Sequence, residues 1–300
     1  MSTEKPYVLH FITPAKNASP FDVNMAYDAG YDAIAPYTDV QLGEVTGLVQ
    51  DAIFSRGPRG VWRTGMLIGG RDIDVAMDML ETAKKSMIPP FEISVMADPS
   101  GAFTTAGAMM AMVERILRRN FGGDLAGRRV SIFGGTGPVG GCSAVIAAKY
   151  GATVELVAHR SVADVQDKAA AYNKRYGTNI GYTDGSTEEL KKKILQTTDV
   201  ALCCAAAGVR VITLEQMAGS PTLKVVADVN AVPPTGAEGV SVMADGAQIE
   251  GTKAFGMGAL AIGNIKYQVQ QNLFKKMLEG QAHVYLDFLS AFELARKDFG

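Results

Sequence analysis

Short apolar runs alternate with longer amphipathic segments along the whole chain of 300 residues. In the first hundred residues the apolar runs lie at 7–12, 33–37, 65–68 and 93–96. Helical patterns separate them at about 21–29, 45–52 and 72–85, where Asp72 is a candidate N-cap, and a longer helix follows at about 105–119. Such alternation is typical of a parallel sheet covered by helices, so the pattern predicts an α/β fold.

A second series of strands and helices begins after the glycines at 122 and 123. Strands are predicted at 129–133, 153–158, 200–204 and 225–228, and helices at 142–150 and 162–176. The last two helices begin at about Asn264 and at about Tyr285, and their pattern allows them to pack on either half. We divide the chain into a first domain at 1–122, to which we assign the C-terminal helices of 267–300, and a second domain at 123–266.

The strongest local signal is the glycine cluster that follows the strand predicted at 129–133. Three of its glycines fit the spacing G-x-G-x-x-G between a strand and a helix. The first permits a tight turn, the second lets a pyrophosphate approach the backbone, and the third lets the helix pack closely on the strand. The helix N-terminus would then offer free N–H groups to the phosphates. The alternative is an ordinary glycine-rich turn, but the strand and helix around the cluster favour a dinucleotide site. Its predicted residues are Gly135, Thr136, Gly137, Pro138, Val139 and Gly140.

The residues after the second strand of this domain bear on the choice between NAD and NADP. An NAD site usually has an acidic residue here, because a carboxylate accepts hydrogen bonds from the ribose hydroxyls. This chain has His159, Arg160 and Ser161 instead, and a guanidinium beside a hydroxyl suits the 2′-phosphate of NADP. NADP is therefore favoured, although Arg160 could be a solvated loop residue and His159 either an adenine neighbour or a half-buried strand end. We add Ala206 and Asn230, which follow two later strands, to the predicted cofactor-binding residues.

Charge and composition exclude several other classes of protein. The 29 Lys and Arg residues nearly balance the 31 Asp and Glu residues, for a net charge of −2, so no nucleic-acid partner and no anionic membrane surface is expected. The three cysteines and three histidines show no metal-ligand spacing, so no metal site is predicted. The sequence shows no apolar leader segment and no long apolar window, which predicts a cytoplasmic protein without a membrane span.

Polar residues that follow the strands of the first domain are candidates for binding a substrate. Folds of this kind bind ligands at the carboxyl ends of their parallel strands. From the segments 19–22 and 98–105 we select Asp22, Asp98, Ser100, Phe103 and Thr104. Asp and Ser are also ordinary N-cap and turn residues, so a purely structural role is the alternative for each polar residue.

Lys266 is the lysine that we single out for a catalytic role. It falls in the first turn of the helix predicted from about Asn264 and lies off the apolar face of that helix. A cation at a helix N-terminus meets the positive end of the helix dipole, which costs about 0.3 kcal/mol or more. A residue placed at such a cost is a candidate for function, and a solvated lysine is the alternative.

Six separated motifs carry a resemblance that covers nearly the whole chain. They are SPFDVNMA (19–26), DAIFSR (51–56), ADPSGAFTT (97–105), GGTGPVG (134–140), DVNAVPP (228–234) and GMGALAIGNIK (256–266). Through these motifs, in this order, the sequence resembles the NAD(P)-dependent methylene-tetrahydromethanopterin dehydrogenases of methylotrophic bacteria. The resemblance implies an N-terminal α/β pterin-binding domain and a Rossmann-type NADP-binding domain with a cleft between them, assembled as a homo-oligomer. It also implies that Lys266 is the family lysine near the pterin.

The resemblance further implies an oxidoreductase that converts methylene-tetrahydromethanopterin to methenyl-tetrahydromethanopterin in formaldehyde oxidation. The methylene carbon would give a hydride directly to the nicotinamide, a step that needs no general acid or base. Family members that also accept NAD have an acidic residue where this chain has Arg160 and Ser161, which again favours NADP. Two other functions stay open. One is a methylenetetrahydrofolate dehydrogenase, with or without cyclohydrolase activity, and the other is a non-catalytic NADP-sensing protein.

Overall fold

The computed structural model describes residues 5–280 and 282–300, which fold into two compact units. The first unit contains the residues up to Thr104 and the segment Tyr267–Ala291. The second contains Thr105–Lys266 and Phe292–Gly300. The borders of the units fall inside three helices, whereas the boundary predicted from sequence, at 122/123, falls at the end of the first of these helices.

The strands and helices alternate along most of the chain, as the hydrophobic pattern predicts. The strands are β1 (Val8–Ile12), β2 (Ala33–Tyr37), β3 (Thr64–Ile68), β4 (Ser94–Ala97), β5 (Arg129–Phe133), β6 (Thr153–Ala158), β7 (Gly181–Asp184), β8 (Val200–Cys203), β9 (Val225–Asp228), β10 (Asp245–Gln248), β11 (Phe255–Met257) and β12 (Tyr285–Leu286). The helices are α1 (Pro20–Ala29), α2 (Val45–Phe54), α3 (Gly57–Val61), α4 (Ile73–Lys85), α5 (Ala102–Phe121), α6 (Pro138–Lys149), α7 (Val162–Tyr176), α8 (Glu188–Leu195), α9 (Leu214–Ala218), α10 (Ala259–Leu278) and α11 (Phe288–Phe299).

The first unit is built on a parallel sheet of five strands in the order β2-β1-β3-β4-β12. This is the 2-1-3-4-5 order of a doubly wound fold, in which the direction of winding changes between β1 and β3. Strands β3 and β4 are buried along their whole length. The loops that follow the central strands therefore lie where a sheet of this type accepts a ligand.

The second unit is built on seven strands in the order β7-β6-β5-β8-β9-β11-β10. The edge strand β10 is antiparallel to β11, and the other neighbouring pairs are parallel. The first six strands follow the 3-2-1-4-5-6 order of the Rossmann fold, and the winding changes direction between β5 and β8. The predicted α/β fold with a Rossmann-type second half is confirmed.

A buried apolar cluster in the second unit supports the carboxyl ends of its central strands. It includes Phe133 at the end of β5, Val157 in β6 and Cys203 at the end of β8, and it continues into Val211 and Met217. Because the cluster fixes the last residues of these strands, it also fixes where the following loops begin. Among the described residues, none of the helices is long and apolar enough to cross a membrane.

Side-chain caps explain where several helices begin. The Asp72 carboxylate accepts hydrogen bonds from Asp74 N at 2.8 Å and Val75 N at 3.0 Å, which confirms Asp72 as the N-cap of α4. Ser161 Oγ accepts a hydrogen bond from Asp164 N at 3.2 Å at the start of α7. Each bond satisfies an N–H group that the first turn of a helix leaves unpaired.

Two helices begin earlier than their predicted positions. Helix α6 begins at Pro138 rather than at 142, because proline is compatible with the first helical position and Gly140 continues the helix. Helix α10 begins at Ala259 rather than at about Asn264. Lys266 therefore lies about two turns into α10, so the conflict with the helix dipole that we inferred from the sequence does not exist.

The C-terminal segment corrects a further prediction. The residues at Tyr285 and Leu286 form the short strand β12, which pairs with β4, and helix α11 follows only from Phe288. A two-residue strand carries no periodic pattern of its own, so the apolar residues at its position resemble the start of the following helix.

Candidate functional site

The loop after β5 turns tightly over the end of β8. Gly134 has φ +86°, and a Cβ atom there would collide with the backbone of Cys204 and Ala205, so only glycine fits this position. Helix α6 then begins at Pro138, with Gly137 as its N-cap residue. Because Gly137 has no side chain to cap the helix, the first turn keeps N–H groups that an anion can accept.

Gly137 and Gly140 differ in what surrounds them. A Cβ atom at Gly140 would lie 2.5 Å from Gly134 O and 2.9 Å from Gly135 Cα, so the helix packs too closely on the loop for a side chain. A Cβ atom at Gly137 would lie 3.3 Å from Gly134 O, and its φ of −80° is open to every residue. The fold therefore requires glycine at 140, whereas a side chain at 137 needs the backbone at Gly134 to shift by only a few tenths of an ångström.

A cleft of about 270 Å³ lies beside this loop, at the carboxyl ends of β5, β6 and β8. Five residues that we predicted to bind the cofactor line it, namely Gly135, Thr136, His159, Arg160 and Ser161. Apolar side chains form much of the rest, namely those of Phe133, Val157, Val165, Val209 and Val211. An apolar cleft with a few polar groups at its edge suits a heterocycle that carries a polar substituent.

Three charged residues of the cleft were missed by the sequence analysis: Asp164, Lys191 and Arg210. Asp164 lies in the first turn of α7, Lys191 in α8, and Arg210 in the segment after β8. No sequence motif links these three residues. The sequence shows only that each lies in a segment that follows a strand, and the carboxyl ends of parallel strands meet at one edge of the sheet. Together with Arg160 they give the cleft three cations and one carboxylate, which favours an anionic ligand.

Arg160 and Ser161 follow β6, and both have hydrogen-bond donors that are available to a ligand. Arg160 is exposed and makes no hydrogen bond or ion pair with any residue in the described part of the chain. Ser161 Oγ accepts the Asp164 N–H as the cap of α7 and keeps its own hydrogen as a donor. Both side chains are therefore able to bind an anionic group, as a 2′-phosphate site requires.

The remaining predicted cofactor residues lie elsewhere along the same sheet edge. Pro138, Val139 and Gly140 form the first turn of α6, and Ala206 lies in the exposed loop after β8. Asn230 follows β9 and is buried. None of these residues lines the cleft beside His159.

Asn230 and Asp228 shape the loop of the DVNAVPP motif. Asn230 Nδ2 donates to Pro234 O at 3.0 Å, and Asn230 Oδ1 accepts Val232 N at 2.9 Å. The Asp228 carboxylate accepts Asn230 N at 3.0 Å and Ala237 N at 2.9 Å, and its burial raises the pKa of this carboxyl group. The side chains of this motif thus hold the loop in one conformation.

In the first unit, Asp98 and Thr104 form the start of α5. Asp98 Oδ1 accepts the backbone N–H groups of Phe103 at 2.9 Å and Thr104 at 3.2 Å, and Asp98 Oδ2 accepts Thr104 Oγ1 at 2.6 Å. The Phe103 ring has no exposed surface and packs edge to face on Phe288. Asp98 and Thr104 are likewise almost fully buried, so all three side chains are bonded or packed within the unit.

Ser100 is the exposed member of this segment. It has φ +52°, a left-handed conformation that is unfavourable for a residue with a side chain. Its hydroxyl donates to Gly70 O at 2.8 Å and so joins the loop after β4 to the loop after β3. Strained residues of this kind are found disproportionately at ligand sites.

Asp22 is held by a glutamine from the other end of the chain. Its N–H donates to Ser19 Oγ at 3.3 Å at the start of α1, and its carboxylate accepts Gln270 Nε2 at 2.7 Å. The neighbouring Gln271 donates to Met25 O at 2.9 Å. Two buried amides thus fix the second half of α10 against α1. Lys266, half-buried, lies one turn before Gln270 in α10 and has a polar or electrostatic contact of its own.

The DAIFSR motif lines a second cavity of about 270 Å³ in the first unit. Asp51 of α2 and Ser55, the residue after α2, line it together with His10 and Tyr37. His10 Nδ1 lies 3.1 Å from the Tyr37 hydroxyl, and burial, with a smaller effect of Arg56, lowers the pKa of His10. Burial thus favours the neutral form of this imidazole.

Comparison with known proteins gives consistent results for both halves of the chain. The family model described as methylene-tetrahydromethanopterin dehydrogenase, N-terminal, matches residues 20–100. An NAD(P)-dependent methylenetetrahydromethanopterin dehydrogenase of Methylorubrum extorquens is 46% identical over 288 residues, which cover 96% of this chain and 97% of that protein. The bifunctional protein MdtA of the same organism is 30% identical over 293 residues, which cover 98% of this chain and 99% of that protein.

Two solved structures share the fold. The shikimate 5-dehydrogenase of Listeria monocytogenes, in complex with shikimate and NAD, has a TM-score of 0.53 and 15% identity and covers 96% of each chain. The ligand-free 5-ketofructose reductase of a Gluconobacter species has a TM-score of 0.52 and 16% identity and covers 98% of this chain and 99% of that one. These structures support the fold alone, whereas the 46% identity along nearly the whole length shows that the chain belongs to the family of NAD(P)-dependent methylenetetrahydromethanopterin dehydrogenases.

Proposed function

We propose that the protein catalyses the NADP-dependent oxidation of methylene-tetrahydromethanopterin to methenyl-tetrahydromethanopterin, a step of formaldehyde oxidation. The observation that carries the proposal is the 46% identity over 96% of the chain to a relative named for this activity. The glycine loop and the cation-rich cleft of the second unit support the cofactor part of the reaction.

The reaction removes a hydride from the methylene carbon, and the two pterin nitrogens that flank this carbon stabilise the resulting methenyl cation. When bound, the nicotinamide ring of NADP supplies the hydride acceptor. No proton moves in this step, so the protein needs no general acid or base at the reacting carbon. Its residues have to hold two molecules in contact and to tolerate a new positive charge.

The substrate is proposed to bind at the carboxyl edge of the sheet in the first unit. Support comes from Ser100, whose strained backbone joins the loops after β3 and β4 where this sheet order places a ligand. Asp22, Asp98, Phe103 and Thr104 contribute by shaping this edge, because their side chains are bonded or packed inside the unit.

Lys266 is proposed to orient the pterin. An ammonium group beside a forming cation would oppose the loss of hydride, so Lys266 cannot accelerate the reaction by its charge. A hydrogen bond from Lys266 Nζ to an acceptor of the pterin ring would instead hold the methylene carbon in the position for transfer.

The preference for NADP is expected to depend on Arg160. The Arg160→Ala variant should lose about 1.5–3 kcal/mol of NADP affinity, the usual size of a charge-assisted hydrogen bond, with little change for NAD. Calorimetric titration with both cofactors measures the difference. An equal loss of affinity for NAD and NADP would show that Arg160 contacts a part common to both cofactors. Unchanged affinity for both would show that Arg160 is a solvated loop residue.

An assay of four combinations tests the proposed function. Methylene-tetrahydromethanopterin and methylenetetrahydrofolate are each offered with NAD and NADP, and the reduced cofactor is followed by its absorbance. We expect the highest rate for the methanopterin substrate with NADP. A higher rate with the folate substrate would instead support a methylenetetrahydrofolate dehydrogenase, and no rate in any combination would support a non-catalytic NADP-binding protein.

The protein is further proposed to be a cytoplasmic homo-oligomer without a nucleic-acid partner. Cys142, Cys203 and Cys204 are free thiols, as a reducing compartment favours, and the net charge of −2 offers no general attraction to nucleic acid. Light scattering on the eluting protein gives its mass in solution, and a mass equal to one chain would contradict the oligomer.

A further inference from the structure

Arg210 is a cation whose guanidinium is incompletely paired within the protein. It lines the cleft beside Arg160, Ser161 and Ala205. Its Nη1 atom is buried and has no hydrogen-bond partner among the described residues. The Glu238 carboxylate oxygen lies 3.9 Å from Nη1, which is beyond hydrogen-bond distance. A buried donor of this kind loses its hydration without a compensating bond, which is unfavourable unless a ligand supplies an acceptor.

The other cations of the cleft are placed differently. Lys191 is nearly buried, but its ammonium donates to Glu188 Oε1 at 2.9 Å and is therefore compensated inside the protein. Arg160 is exposed and retains its hydration. Arg210 is half-buried, and its Nη1 atom is a buried donor without a hydrogen-bond partner among the described residues, so an anionic ligand can supply the acceptor that this atom lacks.

The position of the cleft indicates which part of a dinucleotide Arg210 meets. The first turn of α6, where a pyrophosphate binds in this fold, does not line the cleft. The residues that follow β6, from His159 to Ser161, do line the cleft. In a Rossmann fold the adenosine ribose lies beside the residues at this position. A 2′-phosphate is a monoester with close to two negative charges at neutral pH, so it can accept bonds from two guanidinium groups.

We infer that Arg210 is a second 2′-phosphate-binding residue, which acts together with Arg160 and makes NADP the preferred cofactor. The inference rests on the proposed function, because it takes the ligand of the cleft to be NADP. Asp164 lines the same cleft and would repel the phosphate. Two guanidinium groups instead of one offset that repulsion.

The test is calorimetric titration of Arg210→Met with NADP, with NAD and with adenosine 2′,5′-bisphosphate, which lacks the nicotinamide. We expect the affinity for NADP and for the bisphosphate to fall about 10-fold to 100-fold, with the affinity for NAD within about threefold of the wild type. The Lys193→Met variant is the matched control. It also removes a cation from the second unit, but an exposed one that does not line the cleft, and it is expected to change all three affinities by less than about threefold.

Combination with Arg160→Ala gives a second readout. Because both guanidinium groups are assigned to one phosphate, the double variant is expected to lose less NADP affinity than the product of the two single losses. Arg210→Lys keeps the charge without the planar fork and is expected to bind NADP with intermediate affinity. If circular dichroism shows that Arg210→Met is unfolded, the same titrations are made with Arg210→Lys.

The outcomes separate this inference from the proposed function. Wild-type protein that binds neither NADP nor NAD would contradict the proposed function itself. Wild-type protein that binds NADP, with Arg210 variants that bind it equally well, would overturn the role of Arg210 alone. An equal loss of NADP and NAD affinity in Arg210→Met would also overturn it, because Arg210 would then contact a part common to both cofactors.

Discussion

Replacement of Gly137 by valine is expected to abolish dinucleotide binding and to leave the protein folded. The backbone at 137 has φ −80°, and the first protein atom that an added Cβ would meet, Gly134 O, lies 3.3 Å away. A branched side chain at the N-cap of α6 would instead fill the space where the pyrophosphate approaches the helix N-terminus. Calorimetric titration with NADP should therefore show no binding, while circular dichroism shows that the protein stays folded.

Gly140→Val is the matched control for this prediction. Here the Cβ atom would lie 2.5 Å from Gly134 O, so the helix and the loop would have to separate. Overpacking of this kind costs about 1–3 kcal/mol or more, and the melting temperature should fall. The two substitutions in this motif are thus expected to have different effects: Gly137→Val loses NADP binding, and Gly140→Val loses stability. Unchanged NADP affinity in folded Gly137→Val would remove the glycine loop from the cofactor site.

The second large effect is expected for Lys266→Ala, which should lower kcat about 100-fold. Loss of a hydrogen bond that orients the pterin allows the methylene carbon to shift, and a misplacement of about 1 Å has an effect of that size on the rate. NADP affinity is expected to stay at the wild-type value, because the residues assigned to the cofactor lie in other motifs. Steady-state kinetics combined with NADP titration measures both quantities.

Two further variants make the result specific. Lys266→Met keeps most of the side-chain volume and is expected to be as slow as Lys266→Ala, because neither can donate the hydrogen bond. Lys275→Ala removes an exposed lysine from the same helix and is expected to retain wild-type kcat. Wild-type kcat in both Lys266 variants would leave Lys266 as a solvated lysine without a role in the reaction.

The fold was predictable where a strand or a helix carries a strong periodic pattern. β5, β6 and α7 have the predicted bounds because their apolar positions repeat cleanly between turn residues. Strand β10, with the sequence Asp-Gly-Ala-Gln, has no such pattern and pairs only because β11 offers it an edge. The early starts of α6 and α10 were missed because glycine inside a helix is locally unfavourable and is tolerated for reasons of packing or function.

The candidate site was predictable to the extent that it lies in contiguous motifs. The segments 134–137 and 159–161 are found from the sequence, because a tight turn at a helix N-terminus needs a recognisable order of glycines. Arg210 and Lys191 reach the same cleft only through the arrangement of β7 and β8 around β5, which depends on long-range packing. Asp98 lies directly after a strand, as the pattern predicts, and its use of both carboxylate oxygens as a helix cap is visible only in the structure.

The direct transfer of a hydride between substrate and cofactor is the central claim, and an isotope measurement tests it most directly. Methylene-tetrahydromethanopterin with two deuterium atoms on the methylene carbon is oxidised by the purified protein with unlabelled NADP in ordinary water, and the reduced cofactor is analysed by mass spectrometry. The account predicts about one deuterium in each NADPH molecule, with the second retained on the methenyl carbon. Unlabelled NADPH, with deuterium released to the water, would contradict the account.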